Sequence, residues 1–165
     1  MKYKVLFSLI LFGFLSCKKE SNIQLKFVDE YIVQDSLVFK NTIIGGISGI
    51  DYHKDKYYMV VDDAKDPRIL VADINISNDK INAVEFLSLF QLKDTTNQFY
   101  KENALDLESI FVDDFERINL VSEGKIYKGK NPSIFTIDKN DGLVEQISIP
   151  EYFKANSKAK PKHNG

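Results

Sequence analysis

An internal repeat constrains what this chain can fold into more than any other feature of its sequence. Residues 47–50 (Ile-Ser-Gly-Ile) match residues 107–110 (Leu-Glu-Ser-Ile), and residues 57–63 match residues 117–123 at the same offset of 60. After an insertion of five residues, the match resumes at an offset of 65, from Pro67 and Pro132 onward. A pattern repeated in this way predicts two copies of one structural unit that stack on each other.

Each copy contains four short apolar runs bounded by Gly, Asp, Asn and Pro, and no run keeps the 3.6-residue period of a helix. The predicted strands are 47–52, 57–61, 68–74 and 83–90 in the first copy, and 107–112, 117–121, 133–138 and 143–149 in the second. Repeated units of four antiparallel strands are typical of β-propeller blades, whereas a two-sheet sandwich is the competing architecture. The ungapped match favours blades. We therefore predict an all-β fold, a partial β-propeller of about two four-stranded antiparallel blades at about 47–90 and 107–149.

The same domain, residues 23–165, is expected to contain one more strand at its start. Residues 23–39 look extended, because Ile23, Leu25 and Phe27 alternate with polar residues. Two blades are fewer than the roughly 4–8 that close a propeller. The 165 residues are therefore expected to be the N-terminal part of a longer protein, with an incomplete C-terminal end.

The first sixteen residues resemble an export signal. A basic start, with Lys2 and Lys4, precedes an apolar run at 5–15, which is shorter than the about 20 residues that span a bilayer. Ser16 then precedes Cys17, the only cysteine, as in a bacterial lipoprotein cleavage site. We expect residues 1–16 to be a signal peptide, Cys17 to be lipidated, residues 17–22 to be a polar tether, and the protein to be exported and anchored to a membrane of the cell envelope. The alternative is an ordinary signal peptide with an incidental cysteine.

Composition excludes several other classes of protein. The net charge is −2, from 22 Lys and Arg against 24 Asp and Glu, so the large basic excess of a nucleic-acid binder is missing. One cysteine allows neither an intrachain disulfide nor a Cys-rich zinc site. The hydrophobic share of 44% is that of a folded chain rather than a disordered one.

Carboxylates gather at one predicted edge of the blades. The start of a blade's first strand and the end of its second strand lie at the same end, because the two strands are antiparallel. This edge collects Asp62, Asp63, Asp106, Glu108 and Glu123. Grouped carboxylates repel one another, and a hard cation such as Ca²⁺ relieves that repulsion through oxygen ligands. We predict a calcium site with Asp62, Asp63 and Asp106 as ligands, and Glu108 and Glu123 as catalytic carboxylates.

Basic residues are predicted beside these carboxylates. Arg68 begins a strand of the first copy, and Lys125 and Lys128 belong to the loop that follows Glu123. Cationic groups next to a metal suit a phosphate ester, so we predict that Arg68, Lys125 and Lys128 bind the substrate. The alternative is that the acidic residues cap turns and the lysines solvate a loop.

Several segments resemble the esterase-like phytase family. They are residues 45–52, 57–58, 62–63, 67–69, 106–110, 121–124, 132–134 and 150–153. The resemblance, over about 40–153, implies a propeller-like and often exported hydrolase domain. It also implies that Arg68, Glu108 and Glu123 match positions where the family often carries the same residue. Ser109 departs from the family pattern, which more often has Gly there.

Two functions follow from these observations. The first is an exported, lipid-anchored hydrolase that acts on phosphate or carboxylic esters of small molecules and depends on calcium. The second is a non-catalytic β-propeller lipoprotein that binds a ligand or partner at the cell envelope, because a fold alone does not establish an activity.

Overall fold

A computed structural model describes residues 23–92, 105–137 and 144–154. The predicted signal peptide, Cys17 and the tether lie outside these ranges. The described residues form three antiparallel sheets of two, four and four strands, none of them closed. Their strands are β1 (Val38–Phe39), β2 (Thr42–Ile43), β3 (Ile47–His53), β4 (Lys56–Val61), β5 (Arg68–Ser77), β6 (Lys80–Gln91), β7 (Leu107–Val112), β8 (Ile118–Ser122), β9 (Ser133–Ile137) and β10 (Val144–Ile147).

Strands β3 to β6 form the first four-stranded sheet and β7 to β10 form the second, and in both each strand pairs with the next one in the chain. The all-β class and both four-stranded units are therefore confirmed at the positions that the repeat predicted. The largest differences are at the β5–β6 hairpin, where β5 ends at Ser77 instead of residue 74 and β6 begins at Lys80 instead of residue 83. Asn78 and Asp79 both have positive φ, so a two-residue hairpin turn lets the ladder continue to Ser77 and Lys80.

The repeat differs from its predicted alignment by one residue in the second strand of each sheet. Gly49 pairs with Val60, and Ser109 pairs with Val121, so β4 corresponds to β8 at an offset of 61. The ungapped match at 60 is wrong here, because four residues (53–56) separate the paired Tyr52 and Tyr57, whereas five (113–117) separate the equivalent pair Val112 and Ile118. A slip of one residue would turn every side chain of the strand to the opposite face. The structural counterpart of Glu123 is therefore Asp62, not Asp63.

The two four-stranded sheets pack against each other, with β3 and β4 of the first sheet beside β7 of the second. Gly49 permits this approach: a Cβ atom there would lie 3.0 Å from Ser109 Cα and 3.2 Å from the Glu108 carbonyl oxygen. Ser48 Oγ donates a hydrogen bond to the Leu107 carbonyl oxygen at 2.6 Å. The buried core between the sheets contains Val60, Ile69, Leu107, Ile110, Leu120 and Phe135.

The predicted N-terminal strand is wrong for most of its length. Only Val38–Phe39 is a strand, and it pairs with Thr42–Ile43. Ile23, Leu25 and Phe27 are exposed, because no neighbouring strand in the described ranges gives their alternation a ladder or a core to pack on. Instead, Val33, Leu37, Phe39 and Ile44 pack on the outer face of the first sheet, where Met59, Val61, Leu70 and Ala72 are buried.

Helical structure is confined to two short 3-10 turns in the described ranges, at Ile126–Lys128 and Glu151–Phe153. Within those same ranges, no helix has the length and apolar character that a membrane crossing requires.

Candidate functional site

Three carboxylates meet where the two four-stranded sheets pack together. One carboxylate oxygen from each of Asp62, Asp106 and Glu108 lies within 4.8 Å of the other two. We call these three residues the acidic cluster. Asp62 directly follows β4, Asp106 directly precedes β7, and Glu108 is the second residue of β7. The first sheet thus contributes one carboxylate and the second sheet two, so the cluster depends on the packing of the sheets.

A β-bulge places Glu108 in the cluster. Leu107 pairs with Ser122 and Ser109 pairs with Val121, so Glu108 is the extra residue of the bulge. Bulges redirect a side chain away from the regular alternation and are common beside functional sites. The first sheet has the same irregularity between Ile47 and Gly49, and there the extra residue is Ser48.

The charges in the cluster are only partly neutralised. A hydrogen bond that protonated Asp62 donates to the Asp106 carboxylate, partial desolvation, and the charges of Asp106, Glu108 and Glu123 raise the pKa of Asp62 to about 6. Glu108 is exposed, but partial desolvation and the charges of Glu123 and Asp106 also raise the pKa of its carboxyl group. Glu123 therefore contributes to the same field of negative charge. An arrangement of this kind stabilises a bound proton or a bound cation.

Lys125 brings one positive charge to the cluster. Its Nζ lies 3.7 Å from Asp106 Oδ2, and both side chains are mostly buried. The loop that carries Lys125 is closed by mutual backbone hydrogen bonds between Lys125 and Lys130. Gly124 begins this loop with a φ of +69°, and a Cβ atom there would lie 2.4 Å from the Asn131 carbonyl oxygen. The tight loop thus fixes the point from which Lys125 reaches Asp106.

Asp63 and Arg68 form a separate ion pair. Arg68 is buried, and its Nη1 donates to Asp63 Oδ2 at 3.1 Å and to the Asp66 carbonyl oxygen at 2.8 Å. Partial burial opposes ionisation of Asp63, but hydrogen bonds from the Lys65 amide and from Arg68 outweigh it and lower the pKa of Asp63. These contacts anchor the 62–67 loop to β5. The structure therefore gives Asp63 and Arg68 structural partners, and their predicted metal and substrate roles stay predictions.

Lys128 lies at the end of the 3-10 turn, exposed to solvent. Its Nζ is 5.7 Å from the centre of the Tyr127 ring. Its predicted contact with substrate also stays a prediction.

The sequence places Ser122 at the same strand end as the carboxylates, but it does not predict a role for the hydroxyl. Ser122 is fully buried, and its Oγ accepts hydrogen bonds from the Asp106 amide at 2.9 Å and the Gly124 amide at 3.2 Å. A comparison of the two copies could have singled out Ser122, but the alignment at an offset of 60 hid the difference. At an offset of 60, Ser122 stands opposite Asp62 and looks like one polar residue replacing another. At the observed offset of 61 it stands opposite Val61, which is buried and apolar.

The chain is thus an all-β protein of open antiparallel sheets with an acidic cluster where two repeated units meet. Comparison with known families finds a match to the model described as "Phytase-like: Esterase-like activity of phytase", over residues 42–165. The chain belongs to this phytase-like family, and the matched region includes the whole acidic cluster. No curated protein and no solved structure matched the chain.

Proposed function

We propose that this protein is a calcium-dependent hydrolase of phosphate or carboxylic esters, exported and anchored to the cell envelope by a lipid on Cys17. The observation that carries the proposal is the convergence of Asp62, Asp106 and Glu108 within 4.8 Å, in a chain whose family is described by an esterase-like activity. The leader sequence supports the cellular location.

The donor set fits a hard cation. Ca²⁺ is held by 6–8 oxygen ligands, often carboxylates, in flexible geometry. Asp62, Asp106 and Glu108 would hold it, which gives Glu108 a ligand role in place of the catalytic role predicted from the sequence. When bound, the cation would polarise the ester and lower the pKa of a water molecule.

Two neighbouring residues have the chemistry to complete such a reaction. Glu123 adds a carboxylate whose charge acts on Asp62 and Glu108, and we assign it the role of a general base that accepts a proton from the attacking water. Lys125 is held beside Asp106, and its ammonium would stabilise the negative charge that develops on the substrate.

The packing of the sheets supports their assignment as neighbouring propeller blades. Val60 and Ile69 are 0% and 1% exposed, because the second sheet covers them. Their counterparts on the matching face of the second sheet, Val121 and Ile134, are 38% and 37% exposed. A further blade docked in the same way would cover Val121 and Ile134, and stacking by one repeated interface is how propellers are built.

Turnover in the presence and absence of a chelator tests the proposal. We expect hydrolysis of 4-nitrophenyl phosphate or 4-nitrophenyl acetate to be lost with EGTA and restored by excess CaCl₂. Asp106→Asn should lower kcat/KM about 100-fold or more, because it removes a charged ligand. Asp73→Asn is the matched control, since Asp73 is exposed and pairs with Lys56 away from the cluster.

The other outcomes separate the alternatives. Hydrolysis that EGTA leaves unchanged would contradict the cation-dependent mechanism. Calcium binding without hydrolysis of either ester would instead support the non-catalytic, ligand-binding propeller.

A further inference from the structure

The Ser122 hydroxyl connects two segments that supply the acidic cluster. Its Oγ accepts one hydrogen bond from the Asp106 amide, at 2.9 Å, and a second from the Gly124 amide, at 3.2 Å. Asp106 is a member of the cluster, and Gly124 begins the loop from which Lys125 reaches Asp106. A single buried oxygen therefore fixes both ends of the Asp106–Lys125 ion pair.

The first sheet shows that the fold itself does not require a hydroxyl at this position. Val61 is the counterpart of Ser122, and it is buried with 1% exposure. In both sheets the next residue makes the same backbone contact: the Asp62 amide donates to the Gly46 carbonyl oxygen, and the Glu123 amide donates to the Asp106 carbonyl oxygen. This backbone hydrogen bond at the end of the second strand therefore forms equally well when the residue before it is apolar. The second sheet differs from the first in having the Asp106–Lys125 ion pair beside this position.

We propose that Ser122 is a positioning residue for the cation site, which holds Asp106 and the Lys125 loop in the geometry that binds Ca²⁺. This inference rests on the proposed function, because it assigns the hydroxyl a role in that same site. Partners that orient metal ligands typically change metal affinity by about 10–100-fold when they are removed. Burying the Asp106 and Gly124 amides without an acceptor would also release them from their present positions.

Calcium affinity of the full chain, measured by isothermal titration with CaCl₂ alone, tests this role. Ser122→Val installs the residue of the first sheet, Ser122→Ala removes the hydroxyl with less change in shape, and Ser122→Thr keeps the hydroxyl. Thr136→Val is the matched control, because Thr136 is a buried hydroxyl of the same sheet that donates to Asn119 Oδ1 at 2.7 Å. Thermal unfolding of every variant shows which of them remain folded.

We expect Ser122→Val and Ser122→Ala to weaken the calcium Kd about 10-fold or more, and Ser122→Thr to restore it to within about threefold of the unchanged protein. Thr136→Val should lower Tm and leave the Kd unchanged. If Ser122→Val does not fold, the contrast between Ser122→Ala and Ser122→Thr decides.

Two results would overturn the inference, and they have different consequences for the proposed function. Equal Kd values for the unchanged protein and Ser122→Ala would remove the role of Ser122 and leave the proposed function intact. An unchanged protein that binds no Ca²⁺ would remove the cation site, and the role of Ser122 with it.

Discussion

Asp62 shows how single residues define this site. Its protonated carboxyl group donates a hydrogen bond to Asp106 and faces the charges of Asp106, Glu108 and Glu123, and its pKa rises to about 6. The residue next to it, Asp63, has a lowered pKa because the Lys65 amide and Arg68 donate to it. Adjacent aspartates thus have opposite electrostatic roles. Asp62 is surrounded by other carboxylates, whereas Asp63 is paired with Arg68.

The raised pKa of Asp62 predicts a pH dependence of stability without calcium. An Asp whose pKa is higher in the folded than in the unfolded state stabilises the fold when protonated. This contribution is complete below the unfolded pKa of about 3.9 and is lost as pH rises through about 6. With EDTA present, Tm should therefore fall between about pH 4 and pH 6, and Asp62→Asn should flatten that fall. Thermal unfolding across this range, with Asp73→Asn as control, measures the effect.

Parallel pH profiles for Asp62→Asn and the unchanged protein would contradict the electrostatic description of the cluster. Excess CaCl₂ should reverse the trend, since the cation replaces the proton and binds better at higher pH.

The sequence predicted the meeting of Asp62, Asp106 and Glu108 because strand ends that share an edge are readable from strand order. It did not predict the partners of Asp63 and Arg68, which depend on the path of the 62–67 loop. The role of Ser122 was hidden by the length of a connection, since the five residues 113–117 are one more than in the first copy and shift the register that identifies its counterpart.

Among the elements, β3 and β7, the first strands of the two four-stranded sheets, pack against each other and decide where the site forms. Both have a bulge at the same position of the repeat, and Ser48 and Glu108 are the extra residues. Apolar periodicity was enough to predict these strands nearly to the residue. Periodicity alone failed for residues 23–37, because alternation makes a strand only where another strand is available to pair with it.

Gly49 is expected to be critical for the packing of β3 against β7. In Gly49→Ala, the new Cβ would lie 3.0 Å from Ser109 Cα and 3.1 Å from Val60 Cγ2, and such overpacking costs about 1–3 kcal/mol of unfolding free energy. Gly45→Ala is the matched control, since a Cβ atom there would meet nothing within 4 Å. Urea unfolding measures both. Equal stability of the two variants would show that the close approach of β3 to β7 does not limit stability.

At the scale of the whole molecule, each half of the chain repeats one plan, and the halves pack front to back. The second sheet covers Val60 and Ile69 of the first, while the N-terminal segment packs on the opposite face of the first sheet through Leu37, Phe39 and Ile44. The sequence predicted the two units and their stacking. It could not predict the role of the N-terminal segment as a cover, since packing partners far apart in the chain leave no periodic signal.

Membrane attachment is predicted to depend on Cys17. In a bacterial host, the full-length protein should partition into the detergent phase of Triton X-114, and Cys17→Ser should move it to the aqueous phase, because the acyl chains supply the membrane affinity. Ser21→Ala in the tether is the control. Equal partitioning of Cys17→Ser and the unchanged protein would contradict lipidation.

The front-to-back packing has a consequence for how such a site can originate. Neither unit holds the acidic cluster alone, since Asp62 lies on one copy and Asp106 and Glu108 on the next. The site therefore exists only where two repeated units pack together. A repeated unit forms such a contact with its neighbour whether or not the contact carries a site. The bulge position holds serine in the first copy and glutamate in the second, so the two copies carry different chemistry at the same place of the repeat.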